Sequence, residues 1–145
     1  MSRTRRLLCI FYGLIALTAL IMTWSQNLLY FQGSNPAGFG QYLLDLKVNG
    51  AARSFTVDIG LFFLAATGLM AVEARKIGMK FVWLYVLFGF LIAISVTFPL
   101  FLIAREIRLA QTGGQGATVD LTPPDIVGLA ITAAIVLGMC GFILT

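Results

Sequence analysis

Few of the 145 residues carry side chains suited to chemistry, and histidine is absent. The chain therefore has no imidazole to serve as a general base or as a haem or zinc ligand. Its two cysteines, Cys9 and Cys140, each lie inside an apolar run, so a disulfide-stapled secreted domain is not expected. The sequence also lacks a serine–base pair, a phosphate-binding glycine loop and metal-ligand spacing. We expect no enzymatic activity, no metal site and no cofactor.

Asp58 is the one acidic residue within the second apolar run. A carboxylate inside a membrane-spanning helix is costly and is often functional. Asp58, however, follows Phe55 by three positions, about 5 Å along a helix, where the positive end of the helix dipole favours a negative charge. Two interpretations stay open: an acid at the membrane interface, or a member of a polar network or ligand site.

A second set of candidate ligand-binding residues belongs to the third apolar run and its end: Ser95, Pro99, Arg105 and Glu106. Pro99 has no N–H to donate to the Ser95 carbonyl, which predicts a kink in the outer half of a helix. Such a kink either shapes a cavity or serves packing alone. Arg105 and Glu106 follow at the predicted outer end, where they could join Asp58 in a charge cluster.

The string from Glu73 to Lys80 predicts a helix end followed by a tight turn. Glu73 can pair with Lys76 at helical spacing, and Gly78 suits a positive φ just after a helix. Arg75, Lys76 and Lys80 are expected to set the topology, with the lysines meeting anionic lipid headgroups. The alternative is a role in docking a partner or a ligand.

The composition favours a lipid environment. Hydrophobic residues make up 59% of the chain and charged ones 11%, with a mean hydropathy of +0.95, whereas a soluble domain is about 25% charged. The net charge is +4, but the basic residues are dispersed between apolar segments and not concentrated on one element, as nucleic-acid binders require. We expect the lipid bilayer as a partner and no nucleic acid.

Four apolar runs predict four transmembrane helices, at about residues 7–24, 55–72, 81–104 and 126–145. About 20 helical residues cross a hydrocarbon core of ~30 Å, and these runs lack the alternation of barrel strands. The predicted fold is all-α: a single membrane domain, residues 1–145, forming a four-helix transmembrane bundle. One short interfacial segment is expected in the first long loop, where Tyr42, Leu43 and Leu46 share a helical face.

The distribution of cations predicts the orientation. Placing the N-terminus on the inner side of the membrane, and counting four crossings, puts six cations inside and four outside. The outer four are Lys47, Arg53, Arg105 and Arg108. Both termini are then predicted to lie inside.

Small residues recur at four-residue spacing in the third and fourth helices. Such a pattern lets membrane helices approach closely, either within the chain or between subunits. The candidates for self-association or for contact with another membrane protein are Gly89, Ala93, Ala130, Ala134 and Gly138.

One set of residues carries a resemblance to a known family: Asp58, the string 73–80, Trp83, Ser95, the segment 98–102, and Arg105 with Glu106. In these residues the chain resembles a bacterial family of small integral membrane proteins known as domain of unknown function 2834. The family-like core covers about residues 7–108, and the fourth helix lies beyond its usual three helices. The resemblance implies a protein of the bacterial inner membrane and carries over no activity.

These observations support two hypotheses. The first is an integral membrane protein that acts as a non-enzymatic accessory or interaction protein. The alternative is binding or transport of a small apolar or amphipathic molecule in a cavity near Pro99.

Overall fold

The computed structural model describes residues 2–31, 38–112 and 122–144, and within them it is built from helices joined by turns. The predicted all-α class is confirmed. The stretches Arg3–Tyr30 and Gly50–Lys76 are long and apolar enough to cross a membrane. The helices are α1 (Arg3–Asn27, continued by a 3-10 turn, Leu28–Tyr30), α2 (Gly38–Asp45), α3 (Gly50–Lys76), α4 (Val82–Leu91), α5 (Ile94–Gln111) and α6 (Pro123–Leu144).

Local capping sets the limits of α3. The Asn49 side chain accepts a hydrogen bond from the Ala52 N–H at 2.8 Å, so the helix begins five residues before the predicted apolar run. At its other end Gly78 has a φ of 65°, which confirms the predicted left-handed residue. The Met79 N–H donates to the Ala74 carbonyl at 2.8 Å, closing a Schellman turn.

The prediction of one continuous third helix over 81–104 is wrong. α4 ends at Leu91, Ala93 is extended, and α5 begins at Ile94. The Ala93 carbonyl accepts hydrogen bonds from the N–H groups of the first turn of α5, so the break leaves this acceptor satisfied. The change of direction predicted at Pro99 thus lies at Ala93, and α5 continues through the buried Pro99.

α4 and α5 form an antiparallel hairpin. The rings of Tyr85 and Phe101 pack edge to face with their centroids 5.8 Å apart. Nearer the apex, a Cβ on Gly89 would lie 2.8 Å from Thr97 Oγ1. At the open end, Arg108 Nε donates to the carbonyl that follows α3, that of Ile77, at 3.4 Å. The end of α5 therefore lies beside the turn that precedes α4.

The hairpin explains the small residues predicted to line one face of the third helix. Gly89 and Thr97 face each other across the hairpin, and Ala93 lies at its apex. The close approach at Gly89 is consequently an intramolecular contact. Ala130, Ala134 and Gly138 are exposed on α6, and a Cβ on Gly138 would meet no atom within 4 Å.

The described core is small and lies between α3 and the hairpin. Ala66, Met70 and Ala74 of α3 are buried against Ile94 and Phe101 of α5. α1 packs antiparallel along another side of α5, since Arg5 meets Glu106 and, further along α1, a Cβ on Gly13 would lie 3.9 Å from Ile103 Cδ1. The start of α6 lies beside the start of α1, in a recess lined by Thr4, Leu7, Leu8, Phe11, Ile126, Leu129, Ala130 and Ala133.

The loop between α1 and α3 holds the predicted short helix, α2. The Tyr30 hydroxyl donates to Asp45 Oδ2 at 2.9 Å, and the Tyr30 ring packs edge-on against Tyr42. These contacts tie α2 to the end of α1.

The fourth predicted helix corresponds to α6. It begins three residues earlier than expected, and Thr145 lies outside the described residues.

Candidate functional site

Charged side chains from three helices meet at one end of the molecule. Arg5 comes from the first turn of α1, Glu73 and Lys76 from the last turns of α3, and Arg105 and Glu106 from the second half of α5. We call these five residues the charged cluster. They meet because α1 starts at the end where α3 and α5 finish.

Arg105 lies at the centre of the charged cluster. Its Nε donates to Glu73 Oε2 at 2.9 Å, and its Nη1 donates to Glu106 Oε1 at 2.8 Å. Lys76 Nζ donates to Glu73 Oε1 at 3.2 Å, which confirms the predicted pair at i,i+3 spacing. Arg5 Nε lies 3.6 Å from Glu106 Oε2. Each of the four carboxylate oxygens therefore has a cationic partner.

The two carboxylates are largely shielded from solvent. The side chain of Glu106 is 11% exposed and that of Glu73 is 17% exposed. A buried carboxylate without its partner would carry a large desolvation penalty. The arrangement acts as a clamp that joins α1, α3 and α5.

Asp58 does not belong to the charged cluster. It lies on α3 fifteen positions before Glu73, about 22 Å along the helix axis. Its side chain is exposed and makes no hydrogen bond or ion pair with another described residue. The predicted clustering of Asp58 with Arg105 and Glu106 is wrong, because the hairpin carries those two residues to the opposite end of α3.

The other predicted site residues are also separated. Ser95 is exposed in the first turn of α5 and Pro99 is buried one turn later. Arg105 follows Ser95 by ten residues, about 15 Å along the helix. Of the five candidates, only Arg105 and Glu106 are brought together. The sequence analysis did not predict their partners, Arg5 on α1 and Glu73 on α3. The sequence indicates such pairs only through the opposite charges that flank the apolar runs.

A groove follows one side of the α4–α5 hairpin and passes next to Pro99. Two recesses, of about 570 and 460 Å³, adjoin at Lys80 and Phe81, which line both. We call the two together the hairpin groove. Pro99 does not line it, but the neighbouring Thr97 and Leu100 do. Its further lining residues include Gly78, Met79, Leu84, Tyr85, Phe88, Ile92, Val96, Ala104, Ile107, Arg108 and Gln111.

Comparison with known proteins identifies one family. The family described as Protein of unknown function DUF2834 matches residues 11–107. No curated protein and no solved structure matches the chain. The matched range contains α3, α4, α5 as far as Ile107 and four members of the charged cluster, while α6 lies beyond it. Since the match covers well over half of the sequence, the chain belongs to the family of unknown function DUF2834.

Proposed function

We propose that the chain is a multi-pass protein of the bacterial cytoplasmic membrane that acts as a non-enzymatic accessory or interaction protein. The supporting observation is the apolar surface. Large hydrophobic side chains are exposed along the helices, among them Leu14, Leu64 and Phe90 at 59%, 67% and 79%. Water disfavours contiguous apolar patches of this kind, so lipid or a partner must cover them.

In the proposed topology α1, α3 and α6 cross the membrane, while the α4–α5 hairpin enters from the inside and returns to it. This arrangement replaces the four continuous crossings expected from the sequence. Arg105 and Arg108 then join the inner cations, which leaves Lys47 and Arg53 as the two outer ones. Eight cations inside against two outside satisfies the positive-inside rule far better than six against four.

The same geometry reverses the predicted position of the C-terminus. α6 starts beside the first turns of α1, and hence at the inner face. The rest of α6 is apolar, so it is best accommodated by running through the bilayer along α1. We therefore place the N-terminus inside and the C-terminus outside.

An interaction role is supported by the small residues of α6, of which Ala130 also lines the recess beside α1. Ala130, Ala134 and Gly138 are exposed and follow the four-residue spacing at which membrane helices approach each other closely. This face is a candidate contact for a second copy or for another membrane protein.

Native mass spectrometry of the protein in mild detergent tests this role. We expect a complex larger than the monomer that dissociates in Ala134→Leu, because the added side chain separates the helices. Val136→Leu, a change on another face of α6, is the matched control and should keep the complex. Recovery of the unmodified chain only as a monomer would contradict the interaction role.

A second candidate function is the binding of an amphipathic molecule beside the hairpin. The observation that favours it is the hairpin groove, which is apolar along most of its length and has cationic residues at one end.

A further inference from the structure

The hairpin groove has the shape of a site for a long, one-headed molecule. Its open end lies at Lys80 and Arg108, beside the turn that follows α3. From there it runs between α4 and α5 past Leu84, Phe88 and Leu100 towards the apex of the hairpin. The α4 helix has 10 residues, which corresponds to about 15 Å.

The open end carries positive charge that the described residues leave uncompensated. Lys80 is exposed and makes no hydrogen bond or ion pair with a described residue. Arg108 is exposed, and its guanidinium donates to the carbonyls of Ile77 and Gly78 at 3.4 and 3.5 Å, which holds it at the open end. Among the described residues that line the hairpin groove, none is acidic. A negatively charged group is the complementary ligand.

Backbone strain is concentrated at the boundary between the cationic end and the apolar part. Phe81 has a φ of 64°, a conformation that bulky residues avoid, and its side chain is 73% exposed. Phe81 lines both recesses. Strain of this kind persists where the surrounding structure holds it, often at sites that bind ligands.

We propose that the hairpin groove binds one anionic phospholipid of the inner leaflet, an inference that rests on the proposed membrane topology. The phosphate lies between Lys80 and Arg108, and one acyl chain follows Leu84, Phe88 and Leu100. The apolar length of about 15 Å equals half of a ~30 Å hydrocarbon core, which is the depth of one leaflet. The lipid thus keeps the orientation that it has in the bilayer.

Native mass spectrometry with added phosphatidylglycerol or phosphatidylcholine tests the proposal. We expect one phosphatidylglycerol to be retained in preference to phosphatidylcholine. Lys80→Gln should weaken its binding about fivefold, as expected for one cation near an anionic headgroup. Arg75→Gln removes a cation from the same end of α3 outside the groove and should have no effect.

A second pair of variants tests the acyl-chain part. Leu100→Trp fills the groove and should abolish selective retention, whereas Leu87→Trp, at an exposed α4 position outside it, should not. Equal losses in Lys80→Gln and Arg75→Gln, or equal retention of both lipids, would overturn the lipid site.

Recovery in the membrane fraction after alkaline extraction is scored for each variant. A membrane-inserted protein without lipid selectivity refutes only the lipid site. Absence of the unmodified protein from the membrane fraction refutes the proposed function and the lipid site together.

Discussion

At the scale of single residues, Glu106 is an acid whose carboxylate is enclosed by its neighbours. Its side chain is 11% exposed, and its two oxygens face Arg5 of α1 and Arg105 of α5. An ion pair at such a position contributes mainly through what its loss would leave behind: Arg5 would lose this carboxylate, and Arg105 would keep only Glu73. Asp58 is the opposite case, an exposed acid without a described partner.

Glu106→Gln is therefore expected to destabilise the protein by about 3 kcal/mol, since it leaves two arginines facing a neutral amide. Asp58→Asn is the matched control, and an exposed substitution without partners should change stability by less than about 0.5 kcal/mol. Thermal unfolding of both variants in detergent provides the comparison. Equal melting temperatures for the two would show that the charged cluster does not stabilise the fold.

The contrast between local and distant pairs shows what the sequence could predict about the site. Glu73 with Lys76, and Gly78 after α3, depend on spacing along one helix, and both were predicted correctly. The contact of Glu73 with Arg105 spans 32 positions. No local pattern encodes such a contact, because it depends on where the chain reverses between the two residues.

At the scale of elements, the decisive feature is the reversal at Ala93. The run from 81 to 104 has the length and composition of one membrane-spanning helix, so hydropathy alone predicts a single crossing. Across the reversal the packing is close at Gly89, where a Cβ would lie 2.8 Å from Thr97 Oγ1 and 2.9 Å from Phe63 Cε2, and a hydropathy pattern does not encode such tertiary contacts. The positions of α1 and α3 needed only continuous apolar length and were predicted within a few residues.

Gly89→Ala should accordingly destabilise the hairpin by about 1–3 kcal/mol, because the added methyl group overpacks a close contact. Gly60→Ala on α3 is the control: a Cβ there meets no atom within 4 Å, and alanine favours a helix by up to about 1 kcal/mol over glycine. Chemical denaturation in detergent measures both. A Gly89→Ala protein as stable as Gly60→Ala would argue against the tight crossing of α4 and α5.

At the scale of the whole molecule, the hairpin and the charged cluster depend on each other. The return of α5 brings Arg105 and Glu106 to the end that already carries Arg5, Glu73 and Lys76. One reversal thereby accounts for the ion pairs, for the concentration of cations at one end and for the groove beside the hairpin. The proposed topology, with three crossings and one re-entrant hairpin, follows from that reversal.

The side of the membrane on which α5 ends tests this account most directly. In a background of Cys9→Ala and Cys140→Ala, single cysteines are introduced as Gln111→Cys at the end of α5 and as Lys47→Cys in the outer loop. Intact cells are then treated with an impermeant maleimide. We expect labelling of Lys47→Cys, and labelling of Gln111→Cys only after the cells are permeabilised. Labelling of both variants in intact cells would contradict the re-entrant hairpin and restore four continuous crossings.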